Sequence, residues 1–501
     1  MLTNEQERRA IPWRWILVSI VALVIVTLLV RRERVATPGA GVLAAALLVI
    51  SSAIVLRAAV KTGSLMNANT LVLGTFLMAY PLSAFVHLTG ADYVSLGFYN
   101  LAALDPHTQL HHVYLSLVLV FLAQLALWWG LAPARPLLSL HTPHIVRVRS
   151  TLLVLAGVVF TLAGIAGTYL LFSRSGALLE DIATIDRTRE LEAGTARYAF
   201  ISMWLSWGII FLLTAFLVSR SSKRHPRFTL AALIGGSACI LFNLLWTGGR
   251  AENVLAILPL MFVVKKLGPR VFRPFAAVIV AGVAGIVVFE TLARTTTMLN
   301  SGLDYLAQGG ISTSQFVANQ FAAVFDWQMG RYSTISLAFD MVKAYGHGIG
   351  STLFQGLALT INAPATLLHI PLKIPEPEPI SALVGQYLYN DSTITGVVPG
   401  TLAELYYNFG VLGVFGGFYV IGRVAKYCIS ATHFARDTGT LLLSFYVLAD
   451  LCVSTIPMTT TIILYDLATI GFPILAFCAI EQIVIHSEKP LPQSAARMAV
   501  T

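Results

Sequence analysis

A chain of 501 residues in which 56% are hydrophobic and only 11% charged departs from soluble proteins, where about 25% of residues carry charge. Its mean hydropathy of +0.76 comes from apolar runs that recur along the whole length, each near the ~20 residues a bilayer requires, which excludes a soluble domain with a single anchor. The net charge of +9 does not indicate nucleic acid, because the Lys and Arg residues fall mostly in short loops on one side of the predicted helices.

In chain order the apolar runs predict spans near 13–30, 39–57, 69–88, 112–132, 150–172, 198–218, 228–246, 251–264, 274–293, 402–421, 439–456 and 462–484, about twelve helices in an all-α polytopic membrane protein. The first run follows Arg8, Arg9 and Arg14 as a signal peptide would, but Arg31, Arg32 and Arg34 follow it at once, so it reads as a retained helix. An inside N-terminus places nearly every basic cluster inside: Arg57 with Lys61, Arg135 with Arg147 and Arg149, Arg220 to Arg227, Lys265 to Arg273, Arg423 to Arg436, and Lys489 with Arg497. The cluster at Arg31 to Arg34 is the one violation. The chain divides into helices one to nine over 1–293, a large outside loop over 294–401, helices ten to twelve over 402–485, and an inside tail over 486–501. Cys239, Cys428, Cys452 and Cys478 lie within or beside apolar segments, without CxxC or Cys/His ligand spacing, so neither a disulfide framework nor a metal site is expected.

Three outside segments are long: about 90 to 111, about 173 to 197, and about 294 to 401. The last shows helical periodicity at Phe316, Val317, Phe321, Val324 and Phe325, and again at Ile335, Leu337, Phe339, Val342 and Tyr345, which predicts amphipathic helices on the membrane surface. Thr352 to Ile370 is uncharged and moderately apolar, either a re-entrant hairpin or a further span, broken by Pro364. Pro371 to Pro379, with its repeated prolines, predicts a stiff extended strap.

Charged groups at membrane depth are expensive and carry functional hypotheses by default. Arg250, in Trp246-Thr-Gly-Gly-Arg250, sits at a short outside turn where glycines expose backbone amides beside a guanidinium. It is either part of a phosphate site, or a side chain that merely snorkels to the interface or pairs with Glu252. Arg294 stands four residues after Glu290, the spacing of an ordinary helical ion pair. Arg331 opens a helix, where the macrodipole disfavours it, so something other than helix stability holds it there. Arg187 and Arg189 share a loop with Arg174, Arg197 and several acids, by default a solvated charged face. Glu404 and Asn408 lie four apart on one face of a helix entering the membrane, and Tyr407 is beside them. Gly410, Gly413 and Gly417 form a small-residue stripe suited to close helix packing. Asp450 and Asp466 are acids inside apolar spans, read as inward hydrogen bonds or as a proton path. His347, with glycine on both sides, is either incidental or a base at a cleft; His111 and His112 read as interfacial residues rather than metal ligands. No HExxH, Walker loop, GxSxG or DxD motif is present, which removes support for hydrolytic, ATP-driven and metal-dependent sugar-nucleotide chemistries.

Trp246-Thr-Gly-Gly-Arg250, the stretch from Tyr345-Gly-His-Gly-Ile-Gly-Ser351 to Pro364, and Thr395-Gly-Val-Val-Pro399-Gly-Thr-Leu-Ala-Glu404-Leu-Tyr-Tyr-Asn-Phe-Gly410 together resemble the Wzy-type O-antigen and exopolysaccharide repeat-unit polymerases. The third segment resembles the Pro-Gly to Phe-Gly pattern that opens the helix after the large periplasmic loop in that family. The resemblance covers roughly residues 150 to 480. It implies an integral-membrane glycosyltransferase of the GT-C type in a bacterial inner membrane, with its active site facing the periplasm. Donor and acceptor would both be undecaprenyl-pyrophosphate-linked oligosaccharide, with membrane lipid and a polysaccharide chain-length regulator as further partners and no cofactor. Arg250, Arg294 and Arg331, with Arg187 or Arg189 in reserve, would neutralise the departing pyrophosphate, and Glu404 or His347 would receive the acceptor proton. Asn408 and Tyr407 would contact substrate. An O-antigen ligase is the rival within the same chemistry and a lipid-linked sugar flippase the rival of another class. A membrane acyltransferase would need more than His347 with Asp391.

Overall fold

The apolar runs fold as expected for segments that must satisfy every backbone N–H and C=O within themselves. The computed structural model describes residues 17, 18, 20, 21, 38–62, 67–90, 106–132, 150–175, 196–219, 225–246, 250–294, 330–367, 370–390, 392, 399–435, 437–460 and 462–487. Among them the ordered elements are helical and no β-strand occurs. Among the described residues seven helices are long and apolar enough to cross a membrane, or eight if Ile463–Thr469 and Phe472–Ile485, bent by 69°, count as one span. The chain is a multi-pass membrane protein. The seven coincide with predicted spans two to six, ten and eleven. The first predicted helix falls largely outside the described residues, as does the periodic stretch from Phe316 to Phe325.

The helices, numbered here in chain order, are α1 (Pro38–Thr62), α2 (Ala68–Leu77), α3 (Ser83–Gly90), α4 (Pro106–Leu131), α5 (Ser150–Ser175), α6 (Ala196–Val218), α7 (Pro226–Trp246), α8 (Arg250–Leu267), α9 (Pro269–Arg294), α10 (Tyr332–Tyr345), α11 (Ser351–Leu367), α12 (Ile380–Tyr389), α13 (Thr401–Phe434), α14 (Thr438–Asp450), α15 (Ile462–Thr469) and α16 (Phe472–Ser487). Two compact units share them. One comprises Met1–Leu140, Ala284–Ser430 and Val447–Tyr465; the other comprises His141–Val283, Ala431–Tyr446 and Asp466–Thr501.

In the second unit α5 and α6 approach at backbone distance. A side chain on Gly164 would meet Leu205 Cα at 2.5 Å, and one on Gly167 would meet the Ser202 amide at 2.7 Å, so small residues here permit the dispersion contact that drives helix association in lipid. Glu481 of α16 accepts the Thr438 N–H at 3.2 Å and the Gly439 N–H at 2.5 Å. These are orphan donors of the first turn of α14, and the negative charge suits that end of the helix.

The first unit holds the candidate site, and three departures from α-helical geometry shape it, one of them the π-helical turn Leu451–Thr455. Between α2 and α3 a π-helical turn, Met78–Leu82, contains Pro81, which has no N–H to donate. The Ser83 N–H turns to the Tyr80 carbonyl, and the Ala79 carbonyl receives the N–H of Arg331 at 2.8 Å. The second departure is Gly410 in α13, with φ 62° and ψ −149°, a region open to glycine and strained for other residues. There the chain doubles back, so that Leu405 and Phe409 lie against Gly413, and Leu405 also against Gly417. The predicted stripe does pack closely, but its partner is the first part of its own helix. Further along, Gly422 crosses Gly130 of α4, with a side chain on Gly422 falling 2.9 Å from Gly130 Cα. Phe76, Tyr80 and Phe418 form a ring cluster with centroids 5.2, 5.4 and 6.1 Å apart.

α10 and α12 bury Leu337, Met341, Ile380 and Val384 against Tyr407. α11 runs through Pro364 rather than breaking there, although the proline has no N–H to donate to the Thr360 carbonyl. The proline strap has no regular structure over 370–379 and is fastened to α11 by Asn362. The Asn362 amide donates to the Ile374 carbonyl at 2.7 Å and to Glu376 Oε1 at 2.6 Å, while its oxygen accepts the Ile374 N–H at 2.8 Å.

The fold-back makes Gly413 intolerant of a side chain, because an added Cβ would lie 2.5 Å from the Leu405 carbonyl oxygen. Gly413→Val is expected to lower stability by about 1–3 kcal/mol or more, whereas Gly416→Ala, which meets nothing within 4 Å, leaves it unchanged. Thermal unfolding in detergent micelles compares the two; equal melting temperatures would rule the fold-back out.

Candidate functional site

The site is built where the loop after α10 meets the end of the first part of α13. Tyr345-Gly-His-Gly-Ile-Gly350 leaves α10 through Gly346, and its backbone pairs with α13. The Gly348 N–H donates to the Tyr407 carbonyl at 3.0 Å and the Ile349 N–H to the Asn408 carbonyl at 3.1 Å. Those carbonyls are available because the turn at Gly410 ends the helical ladder that would have used them. Gly348 allows the approach, since a Cβ there would sit 2.5 Å from the Tyr407 ring.

Asn408 locks the junction. Its Oδ1 accepts the Gly350 N–H at 3.0 Å, and its Nδ2 donates to Thr352 Oγ1 at 2.7 Å and to the Glu404 carbonyl at 2.9 Å. Thr352 Oγ1 donates onward to Glu404 Oε1 at 3.0 Å. The other carboxylate oxygen, Oε2, accepts the Thr460 N–H at 2.7 Å and its hydroxyl at 2.8 Å. Glu404 is therefore 0% exposed with both oxygens engaged, as a carboxyl group withdrawn from water requires. In this arrangement it joins α11, α13 and the turn at Thr460.

His347 is exposed and has a defined orientation. Its Nδ1 is 3.1 Å from the Tyr407 carbonyl oxygen. A carbonyl can only accept, so Nδ1 carries the hydrogen, and in the neutral ring Nε2 keeps its lone pair. The ring lies beside the turn, 3.5 Å from where a Cβ on Gly410 would be, an ordinary contact distance, so it is the positive φ and not crowding by the imidazole that calls for glycine there. The Tyr406 ring centroid is 6.2 Å away.

Arg331 sits at the other end of the first part of α13, some seven residues or roughly 10 Å along the helix from Tyr407. It immediately precedes α10, without capping it through its side chain. Its N–H is held by the Ala79 carbonyl, its stem lies on Gly400, and its Nη1 donates to the Gly330 carbonyl at 2.7 Å. These contacts outweigh the unfavourable macrodipole. Thr334 Oγ1 lies between the Arg331 and Pro399 carbonyls. The Tyr80 hydroxyl donates to the Ile456 carbonyl at 2.9 Å and accepts the Leu402 N–H at 3.1 Å, within electrostatic reach of both Arg331 and Glu404. Thr401 Oγ1 donates to the Thr455 carbonyl in the π-helical turn Leu451–Thr455.

The structure thus brings together His347, Glu404, Tyr407 and Asn408, and places Arg331 at the far end of the same helical segment. Arg250 opens α8 and Arg294 closes α9, but their side chains lie outside the described residues, as do Arg187, Arg189 and Asp391 entirely. His112 is buried, its Nε2 3.7 Å from Asp340 Oδ1 and its ring edge-on to Phe339. Burial lifts the Asp340 carboxyl above the ordinary range, with Lys343 acting to lower it. Asp450 Oδ2 accepts the hydroxyl of Thr455, five residues further along the chain, at 2.9 Å, a local bond rather than one between helices. Among the described residues no group of three or more His, Cys, Asp or Glu side chains is placed to hold a metal ion.

Thr352, Thr460 and Tyr80 were not singled out by sequence. The two threonines look like ordinary helix-end residues. Tyr80 carries a signal in its Tyr-Pro step inside an apolar run, which marks a helix irregularity.

Asn408→Ala is expected to cost about 2 kcal/mol by stranding the Gly350 N–H and the Thr352 hydroxyl. Asn408→Asp is expected to cost at least as much at neutral pH, because it cannot donate to Thr352 or to the Glu404 carbonyl and adds a second carboxylate beside the first. Melting curves of the three proteins test the ranking; an Asp variant as stable as wild type would refute it.

No protein-family model matches this chain, and no curated protein or solved structure matches it either.

Proposed function

We propose that this protein polymerises undecaprenyl-pyrophosphate-linked oligosaccharide repeat units into O-antigen or exopolysaccharide at the periplasmic face of a bacterial inner membrane. The observation that carries this reading is the junction of two segments selected from sequence for the same resemblance. The 345–352 loop and the 404–410 segment, 58 residues apart in sequence at Gly350 and Asn408, are laced together around an oriented histidine. In this reading about twelve helices span the membrane, and α10, α11 and α12 belong to the large periplasmic loop.

The acceptor sugar hydroxyl attacks the anomeric carbon of the donor chain, the bond from that carbon to the pyrophosphate oxygen breaks, and the pair of electrons leaves with the pyrophosphate. His347 Nε2 takes the hydroxyl proton, the lone pair being free because Nδ1 is tied to the Tyr407 carbonyl. Glu404 acts by position, since its two oxygens are occupied. Arg331, with Arg250, Arg294 and the loop pair Arg187 and Arg189, supplies positive charge for the leaving pyrophosphate. The donor carries its own leaving group, so the step requires no nucleotide.

Purified protein given a synthetic undecaprenyl-pyrophosphate repeat unit, without added nucleotide or metal, is expected to yield a ladder of products. A single addition to a lipid A core sugar would instead identify a ligase, and no product with either acceptor would contradict glycosyl transfer. His347→Gln is expected to reduce the rate by about 100-fold or more while the melting temperature stays within a degree or two of wild type. Full activity in that variant would remove His347 from the mechanism.

A further inference from the structure

Ile349 adopts φ 47°, a left-handed conformation that is a genuine outlier for a β-branched side chain, and its side chain is 82% exposed. Strain of this kind persists where the surroundings impose it and clusters at functional sites. Here it is imposed by the Ile349 N–H bond to the Asn408 carbonyl and by Gly350 at φ 83° on the next residue. The protein gains no packing from the side chain it holds out. Other exposed apolar groups follow Asn408, the residue that Ile349 pairs with, along the chain. Phe409 is partly exposed and its ring lies over Gly350, 3.1 Å from where a Cβ would be; Val411 and Leu412, the latter 84% exposed, follow the turn at Gly410 that faces the His347 ring. This lip is continuous with α13, a helix apolar enough to span the membrane, whose exposed residues go on to include Val420 and Tyr427. The polar edge of the lip is His347, and its other edge is formed by exposed apolar side chains.

We propose that Ile349, Phe409 and Leu412 form the seat for the polyisoprenoid chain of a lipid-linked substrate, gripping the hydrocarbon next to its pyrophosphate so that the head lies at His347. The assignment rests on the glycosyl-transfer reading for the identity of the lipid, and on the strained, exposed Ile349 for the place. A bilayer lipid alone would not require one isoleucine to be held in a left-handed conformation at the edge of a histidine site.

The test is photo-crosslinking in the full-length protein in nanodiscs, with a diazirine amino acid at position 349 or 412 and, as a control, at Leu162, an exposed apolar position on α5. The probe is radiolabelled undecaprenyl pyrophosphate bearing one sugar, competed with excess phosphatidylglycerol. Capture at 349 and 412 but not at 162, undiminished by phosphatidylglycerol, is the expected result. Capture at all three positions, or loss of label to phosphatidylglycerol, would reduce the lip to ordinary lipid contact and overturn the proposal. Because the probe need only bind, capture without a product ladder would count against the polymerase reading and not against the seat; a ladder without capture would do the reverse. Ile349→Gly, which relieves the left-handed strain, is expected to fold at least as well as wild type and to weaken capture at 412 about tenfold, the scale of one aliphatic side chain withdrawn from hydrocarbon. Unchanged capture in that variant would also overturn the proposal.

Discussion

The amide of Asn408 uses both of its ends. Its oxygen takes the Gly350 N–H, its nitrogen serves Thr352 and the Glu404 carbonyl, and from Thr352 the network continues to the Glu404 carboxylate and on to Thr460. Three segments distant in sequence meet in this chain of donors and acceptors, and low polarity around it raises the cost of leaving any member unpaired. The geometry of His347 follows from it. The loop that carries the histidine is fixed to α13 by the N–H groups of the three residues that follow it, Gly348, Ile349 and Gly350, and the Tyr407 carbonyl that selects its tautomer belongs to the same helical turn as Asn408.

Irregular backbone supplies the partners for these contacts. A continuous helix has no spare carbonyls, so a site inside a helical membrane protein must draw them from helix ends and breaks. Gly410 ends one helical run and frees the carbonyls of Tyr407 and Asn408, the π turn at Met78–Leu82 frees Ala79 for Arg331, and the π turn at Leu451–Thr455 offers Thr455 to Thr401. Tyr80 joins the start of α13 to the residue after that second π turn. Each break coincides with an attachment of the nine-residue segment that carries Glu404 and Asn408.

Much of the fold was legible in sequence because lipid imposes a simple rule: a run of apolar residues near bilayer length is a helix, and seven predicted spans coincide with helices of that character. Periodicity also located α10, but the residues from Tyr332 to Phe339 are all buried, so it is a helix packed on every side and not the surface-lying amphipathic one expected; the prolines located the strap. Glu404 and Asn408 were recognisable as a pair because their spacing places them on one helix face. Their partners were not, since the association of Thr352 and Thr460 with Glu404 depends on tertiary contacts between residues 52 and 56 positions apart, which no local pattern encodes. The glycine stripe pointed to close packing but not to its partner, because nothing in the spacing of Gly410, Gly413 and Gly417 says that the chain reverses at the first of them. Ile349 was hidden for a similar reason: its unusual backbone is imposed by α13, not by its neighbours in sequence.

The account stands on the coupling between Thr352 and Asn408, whose side chains are 2.7 Å apart. A double-mutant cycle of Thr352→Ala and Asn408→Ala, read by thermal unfolding in detergent, measures it directly. The predicted result is a coupling of about 1 kcal/mol, with the double variant less destabilised than the sum of the single variants. Strict additivity, a coupling indistinguishable from zero, would mean that the loop and α13 do not meet as described.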